Sequence, residues 1–246
     1  MALQSSGQIS LNDIHVEAGG SSGSLCEIND SDIRGLISKS SGAQMAFNEW
    51  YGASSSITAT LRQGSTSSTS FTLSGLSSSA TTLIAGVYFW HEDVYGQGSA
   101  PVPTVNGSNM TRDIYRHATI SNETQYISFY RYYIGTSTSV TMGRSSSPTG
   151  GYNTQGMGIW EVTGNPSMPQ NQQGSSNALT QGGDAGDAVF VGACHNWSAP
   201  SDISNLDNQQ SAGQHKYGVD MKSSSGSVTY STSSLQGGMC CVRYAP

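Results

Sequence analysis

His91-Glu92-Asp93 places an imidazole beside two carboxylates, a set that can ligate a metal. The trio ends a long apolar run, so the reading adopted is a polar strand end at the rim of a β-domain. Asp184 and Asp187, among Gly182, Gly183 and Gly186, have the outline of a calcium turn. The terminal acid that a twelve-residue calcium loop requires is missing, which leaves a plain β-turn. Cys194, Cys240 and Cys241 would share a site if their strands paired, but buried thiols serve more often as small hydrophobes. Glycoside hydrolysis needs two acids facing each other across a cleft. Glu92, Asp93, Glu123, Glu161 and Asp187 are available, and no spacing selects a pair. There is no HExxH and no phosphate-binding glycine loop. The expectation is no catalytic residue, no metal and no cofactor: a protein that is not an enzyme.

Aromatic side chains are the better equipped group, with 12 Tyr and 4 Trp. On a strand, Tyr126, Tyr130 and Tyr132 would share one face, and Phe129 and Tyr133 the other. One face fills a core; the other packs on a neighbour or stacks on sugar rings. Tyr95, Tyr152 and Trp197 fall in loops, where contact with an external receptor or glycan is expected.

These residues sit in a chain of 246 with only 11% charged positions and a net charge of −6. Three lysines offer no cluster able to neutralise a run of phosphates, which argues against nucleic acid and against an anionic membrane surface. No apolar stretch reaches the ~18 residues of a membrane span, so no membrane insertion is expected. The first residues lack a basic and apolar leader, which points to synthesis in a cytoplasm. The four cysteines form no CxxC pair and read as reduced.

The positioning elements divide at about residue 55. In 1–55, Gln8–Ile14 (QISLNDI) and Gln44–Trp50 (QMAFNEW) repeat one phrase: Gln, apolar, small, apolar, Asn, acid, apolar. Between the copies, Ile33, Leu36 and Ile37 fall on one face of a small helix that Asp30 or Ser31 would cap. So short a segment buries little alone. Ile9, Leu11, Ile14, Ile33, Leu36, Phe47, Trp50 and Tyr51 are therefore expected to dock on a partner. Residues 56–246 read as about nine strands between turn clusters, the pattern of a jelly-roll-like β-sandwich. The strands are Ile57–Leu61, Ser70–Leu73, Thr82–His91, Gln125–Ile134, Thr138–Met142, Gly158–Val162, Ala188–Cys194, Ser227–Tyr230 and Met239–Tyr244. Residues 163–186 and 198–215 read as long surface loops. The fold class expected is mainly β: an irregular N-terminal adaptor with one small helix, then a sandwich.

SGQISLNDI (6–14), INDSDIRGLI (28–37) and SGAQMAFNEWYG (41–52) together resemble a head segment found on tail and structural proteins of tailed bacteriophages. That segment runs SGxISLND(I/F), an SDIRGL helix, then a second SGxISxxDFYG copy. The second copy here has one extra residue after Gly42, Asn48-Glu49 for Ser/Asn-Asp, and Trp50 for Phe. TVNGS (104–108), YISFYRYYIG (126–135), GMGIWEVTGNP (156–166) and GDAVFVGAC (186–194) resemble a phage C-terminal sandwich. The resemblance implies a virion structural protein: a tail-tip, tail-fibre or baseplate-associated component. Its partners would be other virion proteins, further copies of itself (a trimer first), and host-surface polysaccharide or protein. Two other classes stay open, a head decoration protein and a carbohydrate-binding module or polysaccharide-degrading enzyme.

Overall fold

The computed structural model describes residues 3–245 apart from 5, 38, 40, 52, 54–56, 79–80, 92–101, 121–122, 146–152, 164–165, 167–168, 175–176, 195–201, 213–214 and 233–237. It is mainly β, with antiparallel sheets behind a short N-terminal unit, in line with the sandwich expectation.

The N-terminal unit holds α1 (Leu11–Glu17), α2 (Ser31–Gly35) and a single 3-10 turn, Phe47–Trp50. It thus has more helix than the one element expected. Ser10 is the N-cap of α1, and its hydroxyl accepts the Asp13 N–H. At α2 the Asp30 side chain makes no cap bond; it turns back and accepts the Glu27 N–H at 2.7 Å.

Beyond it the described strands number sixteen rather than nine. The first nine are β1 (Thr58–Thr66), β2 (Ser70–Ser74), β3 (Thr81–His91), β4 (Pro103–Val105), β5 (Ser108–Asn109), β6 (Thr111–Ile120), β7 (Glu123–Gly135), β8 (Ser139–Arg144) and β9 (Asn153–Thr163). The remaining seven are β10 (Gln170–Gly174), β11 (Ala178–Gly183), β12 (Ala188–Cys194), β13 (Asn208–Ala212), β14 (His215–Met221), β15 (Gly226–Ser231) and β16 (Gly238–Tyr244). Two stretches expected to be loops, 163–186 and 198–215, therefore contain β10, β11, β13 and the first residue of β14. The reason is position: β10 and β13 are sheet edges, where Gln, Asn and Ser can occupy a strand without the apolar alternation that announces one.

The strands build a sandwich of four stacked layers. A first inner sheet has the order β1-β9-β3-β7-β6, and a first outer sheet β2-β8-β4-β5 covers one of its faces. A second inner sheet, β10-β16-β12-β14-β13, packs on its other face, and β11-β15 covers the far side. Hence Thr81–His91 and Ala188–Cys194 are almost wholly apolar: in each the two faces are both buried. Leu83, Ala85 and Val87 face outward and Ile84 and Tyr88 inward on β3. On β12, Val189, Val191 and Ala193 face outward, and Phe190 and Cys194 inward. Cys240 and Cys241 fall on opposite faces of β16, as their adjacency requires.

The strand orders match term by term. Writing β1, β2, β3, β6, β7, β8, β9 as β10 to β16 converts the first inner sheet into the second, and β2-β8 into β11-β15. The β4–β5 hairpin is the one addition. It turns at Asn106 and Gly107, whose φ values of 50° and 82° suit an Asn-Gly type I′ turn. In the second half, loop residues take the place of β4 beside β15. Ser204 N–H donates to Ser231 O at 2.8 Å, Asn205 Nδ2 to Thr229 O at 2.9 Å, and Ile203 is buried beneath. An edge that would otherwise offer itself to another strand is covered.

Candidate docking surface and the polar sites

In the doubled phrase the two copies do the same local work. The acid at the sixth place holds the backbone N–H at the third: Ser10 N–H donates to Asp13 Oδ2, and Ala46 N–H to Glu49 Oε2, both at 2.9 Å. These bonds, with Ser10 Oγ on Asp13 and Lys39 on Glu49, lower both carboxyl pKa values. The apolar residue at the seventh place turns inward. Ile14 and Trp50 are completely buried, together with Ile33 and Leu3. Trp50 Nε1 donates to Ile33 O at 3.0 Å, and Leu3 N–H donates to Ala53 O at 2.8 Å, which brings the two ends of the unit together.

This corrects the expected docking set. Ile14, Ile33 and Trp50 are core, because two caps and one short helix close three apolar faces on each other. Ile9, Leu11 and Leu36 pack half-buried against that core. Only Phe47 (46% exposed) and Tyr51 of the expected set stand out, the latter with its hydroxyl donating to Gly7 O. Sequence reasoning missed Val16 and Leu25, both exposed, Leu25 fully so. Among the described residues the exposed large apolar side chains are these four and Tyr133, so four of five lie in the first 53 positions. That stretch also carries Asp13, Glu17, Glu27, Asp30, Asp32 and Glu49 against Arg34 and Lys39, a net −4.

The β-region is polarised along its strands. Gly86 approaches Tyr217 and Tyr88 stacks on His215 with ring centroids 3.2 Å apart. Moving toward the end of β3 thus moves toward the start of β14. Since β14 is antiparallel to β12, β3 and β12 point the same way. His91, Glu123 and Asn153 of the first half therefore share one end of the molecule with Cys194, His215 and Gly238 of the second. The chain enters at the opposite end, where Ile57 N–H donates to Gly186 O. Tyr95, Tyr152 and Trp197 belong to connections leaving the first of these ends; they lie outside the described residues, as do Glu92 and Asp93, and nothing of the His91 side chain is described.

Along edge strand β6, the Arg112 guanidinium lies 5.1 Å over the Tyr115 ring, and Tyr115 and His117 are near-parallel at 6.1 Å. Burial, then Arg116, lowers the His117 pKa. The β7 aromatics divide as alternation demands: Tyr126 and Tyr130 face the outer layer, with Tyr132 against them, and Phe129 faces the inner seam. Tyr133 alone of them is mostly exposed, at 62%.

Two of the acids considered for catalysis, Glu161 and Asp187, are engaged; nothing of the Glu123 side chain is described. Glu161 is buried and accepts from Arg62 and from the Ser77 N–H. Asp187 accepts from Arg243 Nε and from the Asp184 N–H, each at 2.6 Å. Both are held in charge pairs, Glu161 with Arg62 and Asp187 with Arg243, and Arg243 also reaches Asp184 at 3.3 Å. No group of three metal-ligating side chains occurs among the described residues. All four thiols are free. Burial pushes the Cys194 thiol up to about 12 and raises that of Cys240. No known protein family, curated protein or solved structure matches this chain.

Proposed function

We propose that this protein is a structural component of a tailed-phage particle, docking on another virion protein through residues 3–53 and holding the layered β-region outward toward the host surface. The observation that carries the reading is the set Val16, Leu25, Phe47 and Tyr51. A unit whose core is already closed by Ile14, Ile33 and Trp50 still shows four large apolar side chains to solvent. Isolated apolar residues on a surface are ordinary; a concentration on a fifth of the chain marks a contact site. The opposition of chain entry and strand connections suits a protein held at one end and exposed at the other. A tail-tip, fibre or baseplate position is the reading carried forward from the sequence resemblance. Full-length chain bearing Val16→Ser, Leu25→Ser and Phe47→Ser should fold and fail to enter particles. Particles that incorporate it as well as the wild type would sink the docking site. Labelled particles imaged by electron microscopy would show density at the tail; hundreds of copies over the head would instead mean a decoration protein.

A further inference from the structure

The two halves of the β-region meet as two copies of one module would. Their principal contacts come in exchanged pairs. β1 lies against β13 and β10 against β6; β9 against β13 and β16 against β6; β3 against β14 and β12 against β7. Replacing every strand by its counterpart returns these six pairs, as an isologous, two-fold contact would, while the contacts of β1 with β14, β12 with β6 and β16 with β7 lack a counterpart of equal extent.

Individual side chains obey the same exchange. Within its own sheet Gly86 pairs with Phe129 and Gly158; Gly192 pairs with Tyr217 and Cys240. The two glycines are therefore counterparts, as are the two aromatics. Across the seam a Cβ on Gly86 would stand 2.9 Å from Tyr217, and a Cβ on Gly192 3.2 Å from Phe129. Each half sinks an aromatic ring into the bare backbone of the other. Arg116 of β6 packs over Gly238, leaving no room there for a side chain, and the counterpart of Gly238 is Gly156, again without one. The relation is visible in the sequence only at scattered places: Gly156-Met157 against Gly238-Met239, and Ser139-Val140-Thr141 against Ser227-Val228-Thr229.

We infer that the seam is a homotypic interface: a surface on which this seven-strand module binds a second copy of its own kind, made intramolecular by residues 164–169. The inference stands on the β-region and holds whatever the N-terminal unit meets. The first half keeps the glycine and ring parts of this self-complementarity. Paired with itself, Phe129 of one copy would meet Gly86 of the other, and Arg116 would meet Gly156. One bond would be lost, since Tyr244, whose hydroxyl donates to Asp113, has Val162 as its counterpart.

A protease site placed in 164–169 of the full-length chain gives the first test. The cleaved protein should elute as the intact one, and halves separated in urea should recombine at 1:1 on mixing. The deciding test is a chain in which residues 170–244 are replaced by a second copy of 58–163. It should be a compact monomer with one cooperative unfolding transition, at lower temperature than the wild type. A doubled chain that stays unfolded, or that melts as two independent units, overturns the inference. So does failure of the cleaved halves to recombine.

Discussion

Trp50→Ala separates a core residue from a contact residue within one small unit. The Trp50 side chain has no solvent exposure and packs with Leu3, Ile14 and Ile33. Truncating a buried tryptophan costs about 3–5 kcal/mol. Its indole N–H also donates to the buried Ile33 carbonyl at 3.0 Å, and stranding that acceptor adds about 1 kcal/mol. At ~0.05–0.15 kcal/mol per residue, a unit of roughly 50 residues holds about 3–8 kcal/mol in all. The substitution should remove most of it and leave residues 3–53 open for a large share of the time. Native-state proteolysis reads this directly: rapid cleavage inside 3–53, with the β-region still resistant and its near-ultraviolet dichroism retained. Phe47→Ala provides the contrast. That ring is half in solvent, 6.0 Å from Trp50, and its loss should cost no more than ~1 kcal/mol. It should leave proteolysis unchanged and weaken particle incorporation. If Trp50→Ala resisted protease as well as the wild type, the claim that the unit has a closed core of its own would fall.

Four further outcomes follow from the packing. Gly192→Ala puts a methyl 2.6 Å from Ile127 Cγ1 and should lower stability by about 1–2 kcal/mol, or ~2–8 °C in Tm by calorimetry. Gly35→Ala, at the end of α2 with nothing within 4 Å, should instead raise stability by ~0.5–1 kcal/mol. A thiol reagent on native protein should label half-buried Cys26 and spare buried Cys194, Cys240 and Cys241 until urea unfolds the sheets; rapid labelling of a second thiol would contradict the burial. Burial raises Asp113 above its ordinary 3.8, outweighing the bonds from Tyr244 and Arg131. The folded state then binds the proton more tightly than the unfolded chain. Its contribution is complete below the ordinary value and is lost as pH rises through the raised one. Asp113→Asn should flatten that part of a urea-midpoint against pH profile.

What the sequence discloses depends on how many faces of an element are buried. β3 and β12, covered on both sides, are written as unbroken apolar runs, and the Asn106-Gly107 turn announces its hairpin. β6 reads TRDIYRHATI because its charges are spent on the edge: Arg112 over Tyr115, Asp113 on Arg131 and Tyr244. β10 and β13 are amide-rich edges, and no alternation marks them. In the N-terminal unit the repeat of Gln8–Ile14 at Gln44–Trp50 was plain, but its meaning was not. Seven letters show an acid and three apolar residues without telling which apolar one turns inward. The cap bonds decide it: once Asp13 and Glu49 fix the third N–H, the helical turn carries the seventh residue into the core and leaves the fourth half-buried as Leu11 or exposed as Phe47.

The two duplications in the chain differ in what they preserve, and the difference bears on function. The N-terminal phrase keeps the class of each residue, because a cap needs an acid three places from the N–H it holds. The β-halves keep almost no residue identity, because a strand pair needs only a register and a face. What survives there is the glycine opposite an aromatic ring, the place where shape rather than polarity decides. A module that has met its own kind in this way has no inner face left to offer: both large sheets are covered on both sides, and the edge of β15 is closed by Ser204 and Asn205. Among the described residues, the exposed large apolar side chains other than Tyr133 all lie on the one element outside the duplication. An addition of some 50 residues spends its own core on closing itself and still carries Val16, Leu25, Phe47 and Tyr51 outward. Its exposed face makes physical sense as a contact with something else.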